Sequence, residues 1–96
     1  MLENRFKTKL VGELEEIFPG CIILHMDPNE IQGIPDLLIL FRNKWAALEG
    51  KKSMNASVRP NQEYYVELMD DMSFARFIYP ENKDEVLDDL CLYFMN

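Results

Sequence analysis

The stretch from Gly33 to Lys51 constrains this chain more than any other. Two apolar runs, Asp36 to Phe41 and Trp45 to Leu48, flank the polar segment Arg42-Asn43-Lys44. Runs of this length around a short polar break read as a β-hairpin. The charges sit in unusual places for one. Asp36 opens the first run, while Glu49 and Lys51 close the second with only Gly50 between them.

With a turn centred on Asn43-Lys44, Arg42 pairs with Trp45, Leu38 with Glu49, and Asp36 with Lys51. Cross-strand partners share a face, and so do residues two apart along one strand. All three charges therefore gather on one face at the open end, with Asp36 and Glu49 as diagonal neighbours roughly 5–7 Å apart. The alignment requires an even loop, because an odd one shifts the register by one. Two carboxylates that close raise each other's pKa unless a cation neutralises them. A hard ion such as Mg²⁺ or Mn²⁺ suits oxygen donors, and the chemistry that follows is metal-assisted hydrolysis. The metal polarises a phosphodiester and activates a water, and a lysine orients that water or stabilises the developing charge. A plainer reading makes the same three residues ordinary strand-end charges at the solvent margin of a sheet.

Pro35-Asp36, a spacer and Glu49-Gly50-Lys51 resemble the PD-(D/E)xK nuclease signature. The longer set of Gly33-Ile34-Pro35-Asp36-Leu37, Leu48-Glu49-Gly50-Lys51 and Arg59-Pro60-Asn61-Gln62 resembles the VRR-NUC branch, whose short stand-alone members are common in phages. The resemblance runs over residues 2–92 and implies a Mg²⁺- or Mn²⁺-dependent DNA endonuclease on a restriction-endonuclease-like αβββαβ core. It implies Asp36 and Glu49 as metal ligands, completed by the backbone carbonyl of Gly50, with Lys51 at the attacking water. Gln62 belongs to the active-site set in such sequences. Glu3 matches the place where an N-terminal helix supplies an outer glutamate ligand. Short members often act on DNA structure, so a duplex or a branched, Holliday-junction-like substrate is implied, together with a homodimer presenting two sites. The chain departs from the pattern in carrying Asp27 to Gln32 where the family has a glycine- and serine-rich segment. It also has Arg59 where a serine often precedes the proline.

Ninety-six residues make one small domain. No run approaches the roughly 18 apolar residues of a membrane span, and Met1 leads into a polar, helix-like stretch instead of a signal segment. A cytoplasmic location is therefore expected, in the host cytoplasm for a phage-encoded chain. The formal charge of −7 argues at first against nucleic acid. Its distribution weakens that objection. Residues 1–59 hold eight acidic and eight basic side chains, and residues 60–96 hold nine acidic and two basic, so the excess is C-terminal. Neutralising Asp36 and Glu49 with metal leaves the first 59 residues net positive, which predicts modest, salt-sensitive DNA affinity. The acidity also supports a different class of function, a catalytically silent interaction module that retains the nuclease fold. Such a module has no need of Asp36, Glu49 and Lys51 on one face.

In chain order, residues 2–18 form an amphipathic helix ended by Pro19-Gly20, with Glu3 and Glu13 at the border of its apolar stripe. Residues 21–26 read as a buried strand, and the hairpin follows. Residues 52–59 are a polar loop, after which Pro60 opens a helix. Tyr65, Leu68, Met69 and Met72 form that helix's buried stripe, Tyr64 is partly core, and Gln62 faces the hairpin. The N-terminus of the helix offers free N–H groups suited to a phosphate, and Arg59 is open to two readings, a phosphate contact or a solvated loop residue. Residues 74–79 make a last strand. Asn82 then caps a helix with Glu85 as its reciprocal partner and Val86, Leu87, Leu90 and Tyr93 inward. Cys21 and Cys91 read as small hydrophobes and His25 as a strand-end residue. The order αβββαβ with a C-terminal helix predicts one central mixed sheet flanked by helices.

Overall fold

The computed structural model describes the backbone of residues 2–96 and the side chains of residues 4–96. The elements are α1 (Leu2–Ile17), β1 (Ile22–His25), β2 (Leu37–Phe41), β3 (Lys44–Gly50), α2 (Pro60–Met72), β4 (Ala75–Ile78) and α3 (Lys83–Met95). The sheet has the order β1-β2-β3-β4. Its first three strands pair antiparallel, and β4 joins β3 in parallel after the α2 crossover. This is the α/β arrangement expected, a mixed sheet flanked by helices with a helix at the C-terminus.

Strand alternation divides the apolar residues between two layers. Leu37, Ile39 and Phe41 of β2, with Ala46 and Leu48 of β3, face α1 and α3 and are buried. Leu10 and Leu14 of α1 and Phe18 just past its end recur every fourth residue and are fully buried, so one stripe reaches this core. Val86, Leu87, Leu90 and Phe94 supply the stripe of α3. The opposite face is thinner. There Ala47 and Ala75 pack under Val66 of α2, with Leu38, Trp45, Met69 and Phe77 at the margin.

One helix about 10 Å wide cannot cover four strands spaced about 4.8 Å apart. Helix α2 lies over β3 and β4, which leaves β1 uncovered on that face and corrects the expectation of a buried strand. Ile22 and Leu24 are 56% and 43% exposed at this sheet edge. The stripe of α2 also differs from expectation. Val66 is its buried residue, whereas Met72 and Tyr64 are exposed, because the helix meets the sheet over two small alanines along a narrow line.

The hairpin closes one step earlier than the sequence suggested. Phe41 pairs with Lys44, Leu40 with Trp45 and Leu37 with Leu48, so the turn is Arg42-Asn43. Arg42 has φ 58°, the positive φ that primed two-residue hairpin turns require at their first position. The loop remains even, and every side chain keeps its expected face. At the far end of the chain, the Asn82 side chain caps no helical N–H. It accepts from the Tyr79 N–H at 2.8 Å and donates to the Phe77 carbonyl at 3.0 Å, tying α3 to the end of β4. Phe94, not Tyr93, is the last fully inward residue of α3. Cys21 and Cys91 are both free and partly buried against the main core, and His25 is exposed at its strand end.

Candidate active site

Continuing the observed β2–β3 register places Asp36 directly opposite Glu49, closer than the diagonal relation expected from a later turn. The Asp36 carboxylate accepts the Gly50 N–H at 3.0 Å through Oδ2, so the aspartate clasps the end of the neighbouring strand. Pro35 just before it is fully buried, and Gly33 earlier in the same loop has φ 92°. A side chain at Gly33 would meet Asn61 at 2.8 Å, so the glycine lets this loop lie against the first turn of α2.

Glu49 is the one buried charged residue of the described core, at 4% exposure. Burial pushes its carboxyl up to about 7, and the nearby Asp36 charge adds to the shift. Lys51, Lys7 and a hydrogen bond from the Asp36 backbone pull the other way without overcoming it. Near neutral pH Glu49 is therefore poised between its neutral and charged forms.

Lys51 lies two residues beyond Glu49 on the same face, with its ammonium 3.9 Å from Glu49 Oε2. It donates a shorter bond, 2.8 Å, to Gln62 Oε1. Gln62 reaches the sheet because Pro60 starts α2 and places its third residue inward. The amide is used at both ends. Its Oε1 also accepts the Arg59 N–H at 3.1 Å, and its Nε2 donates to Glu49 Oε2 at 3.3 Å. One side chain thus fixes the lysine, the glutamate and the start of a helix together.

These groups line a cavity of about 360 Å³ whose outer wall is formed by the 28–34 loop, Arg59 and Asn61. Asp36, Glu49, Lys51 and Gln62 all face it. The side chain of Glu3 lies outside the described residues. Among the described residues no group of three or more His, Cys, Asp or Glu side chains is placed to hold a metal. What is present is a pair of neighbouring carboxylates, one of them pushed up to about 7 by burial first and by the other's charge second. That donor chemistry fits a hard divalent ion taking most of its remaining ligands from water and substrate.

One participant escaped the sequence reading. Lys7, from the second turn of α1, forms an ion pair with Asp36 Oδ2 at 2.8 Å. Its stem crosses Gly50 so closely that a Cβ there would meet Lys7 Cγ and Cε at 3.0 Å. A glycine inside a strand often marks such a close approach, and Gly50 between two charges was the available signal. No family model matches this sequence, and no curated protein or solved structure does so either.

Proposed function

We propose that this domain is a Mg²⁺- or Mn²⁺-dependent DNA nuclease that hydrolyses phosphodiester bonds. The observation that carries the reading is the convergence of Asp36, Glu49, Lys51 and Gln62 on one cavity, with Glu49 buried beside a second carboxylate. A catalytically idle sheet margin has no reason to bury a carboxylate next to another.

In this reading Asp36 and Glu49 hold the ion, and the Gly50 carbonyl completes the protein's share. When bound, the ion supplies charge neutralisation at the phosphate and lowers the pKa of a water. Lys51 orients the attacking water or stabilises the charge that builds on the phosphoryl oxygens. Gln62 holds the Lys51 ammonium at 2.8 Å and so restricts where it can act. The start of α2 has its Gln62 and Glu63 N–H groups turned back to the Arg59 carbonyl, so what it offers an adjacent backbone phosphate is the partial positive charge of the helix end, beside Arg59. The even charge balance of residues 1–59 permits duplex or branched DNA as substrate, and the small size of one subunit favours a homodimer presenting two such sites. Sedimentation with and without a four-way junction tests that state, a monomer in both cases excluding the dimer.

The limited ligand set, two carboxylates among the described residues, favours a second reading as a silent interaction module. Cleavage of supercoiled plasmid and a labelled four-way junction separates the two. With Mg²⁺ or Mn²⁺ the wild type is expected to cut, and EDTA or Asp36→Asn to abolish cutting while the circular dichroism spectrum is retained. Metal-dependent cutting that survives Asp36→Asn removes the assignment of Asp36, and no cutting with no metal binding leaves the interaction module.

A further inference from the structure

The stem of Lys7 lies across Gly50, and its ammonium is 2.8 Å from the Asp36 oxygen that also accepts the Gly50 N–H. This oxygen therefore has a positive partner supplied by a separate element, α1, in addition to its backbone bond. A divalent ion drawn to Asp36 meets that ammonium. The two cations repel at such range, and the side chain of Lys7, 24% exposed, is screened by water only in part.

Lys51 differs from Lys7 in a way that assigns them separate tasks. Its ammonium is tied to a neutral amide oxygen at 2.8 Å and stands 3.9 Å from the nearer carboxylate oxygen. It can stay where it is when an ion arrives. Lys7 instead makes its contact at the carboxylate itself. Its stem runs across Gly50, where a Cβ would meet Lys7 Cγ and Cε at 3.0 Å.

We propose that Lys7 is an internal counter-cation that competes with the divalent ion for Asp36 and so sets the metal affinity of the site. The proposal rests on the metal-binding reading above. Lys7 is here a positioning residue. With no ion bound it holds the aspartate against the strand end, and it yields its place at Asp36 as the ion binds. Removing its charge should strengthen metal binding, the opposite of what removing a ligand does.

The test is calorimetric titration of Mn²⁺ and of Ca²⁺ into the purified protein at about 0.1 M salt, where distant surface charges are largely screened. Lys7→Met keeps the apolar stem over Gly50, and Lys7→Gln provides a second neutral side chain if the first disturbs folding. Lys9→Met removes an equal charge from an exposed position on the same helix. Both Lys7 variants should bind Mn²⁺ about ten-fold more tightly than wild type, Lys9→Met should match wild type, and Asp36→Asn should lose binding. Wild-type binding with equal or weaker binding by both Lys7 variants overturns the role of Lys7 and leaves the metal site standing. Equal tightening by Lys9→Met also overturns it, by showing a general charge effect. No binding by wild type and Lys7 variants alike overturns the metal site and this proposal together.

Discussion

The two ends of the β2–β3 hairpin belong to one ladder, yet they treat charge in opposite ways. At the turn, Phe41 packs with Phe18 and Phe94, ring centroids 5.1–5.5 Å apart. Of the two charges there, Arg42 lies over the Phe41 ring at 5.2 Å and Lys44 donates to the carbonyls of Tyr93 at 2.6 Å and Asn96 at 3.0 Å, satisfying the end of α3 where a cation is favoured. At the open end, two carboxylates face each other and one is buried. The turn end lowers the free energy of the fold, whereas the open end keeps a local conflict, since burial and the Asp36 charge outweigh Lys51 and Lys7 at Glu49. In the proposed reading, stability and chemistry are thus set at opposite ends of the same pair of strands.

The sharpest way to break the turn end is Phe94→Ala. Loss of a buried ring from the three-ring cluster should cost about 3–5 kcal/mol in urea unfolding, and a loss below about 1 kcal/mol would remove that cluster as the main anchor. The open end should behave in the reverse sense, with a substitution that stabilises. In the unfolded chain Glu49 ionises near 4.5 and in the folded protein near 7. The native state therefore binds the extra proton, and this contribution to stability is full below pH 4.5 and lost as pH rises through 7. In EDTA, Glu49→Gln should match wild type at low pH and exceed it by roughly 3 kcal/mol at pH 8. Saturating Mg²⁺ should narrow that gap, and a gap that does not vary with pH would place the conflict elsewhere.

Smaller effects refine the contrast. Gly50→Ala crowds the Lys7 stem and should cost about 1 kcal/mol, with amide exchange quickening at the β2–β3 open end but not at the turn. Lys44→Met removes two carbonyl contacts and the ammonium stacked 4.8 Å from the Tyr93 ring centre. It should cost about 0.5–1 kcal/mol and speed exchange in the last turn of α3 alone.

Element order and type were legible because period and punctuation agree along most of the chain, as where Pro60 opens α2 or Leu10 and Leu14 repeat on α1. The grouping of Asp36, Glu49 and Lys51 was legible for a narrower reason. The inward and outward pattern specifies only the parity of a hairpin register, and moving the turn from Asn43-Lys44 to Arg42-Asn43 preserves parity. The absolute register was hidden because it depends on the backbone of Arg42, a residue that ordinarily avoids positive φ. The exposure of β1 was hidden because an apolar run does not reveal how many strands one helix can cover. Lys7 was hidden because its contact joins α1 to the end of β3, and helical spacing marks it only as one more polar residue.

Gln62 carries a consequence of a different kind. Its carbonyl end meets two donors, Lys51 and the Arg59 N–H, while its amino end meets an acceptor, Glu49. The amide is therefore a directional reader of charge order at the end of β3. Exchanging the residues at 49 and 51 would preserve composition, net charge and strand pattern, yet it would ask the amide to rotate. Rotation would set an NH₂ group against the Arg59 N–H and unfasten the first turn of α2. The sense in which acid precedes base at the strand end is thus written a second time, in the helix that faces it.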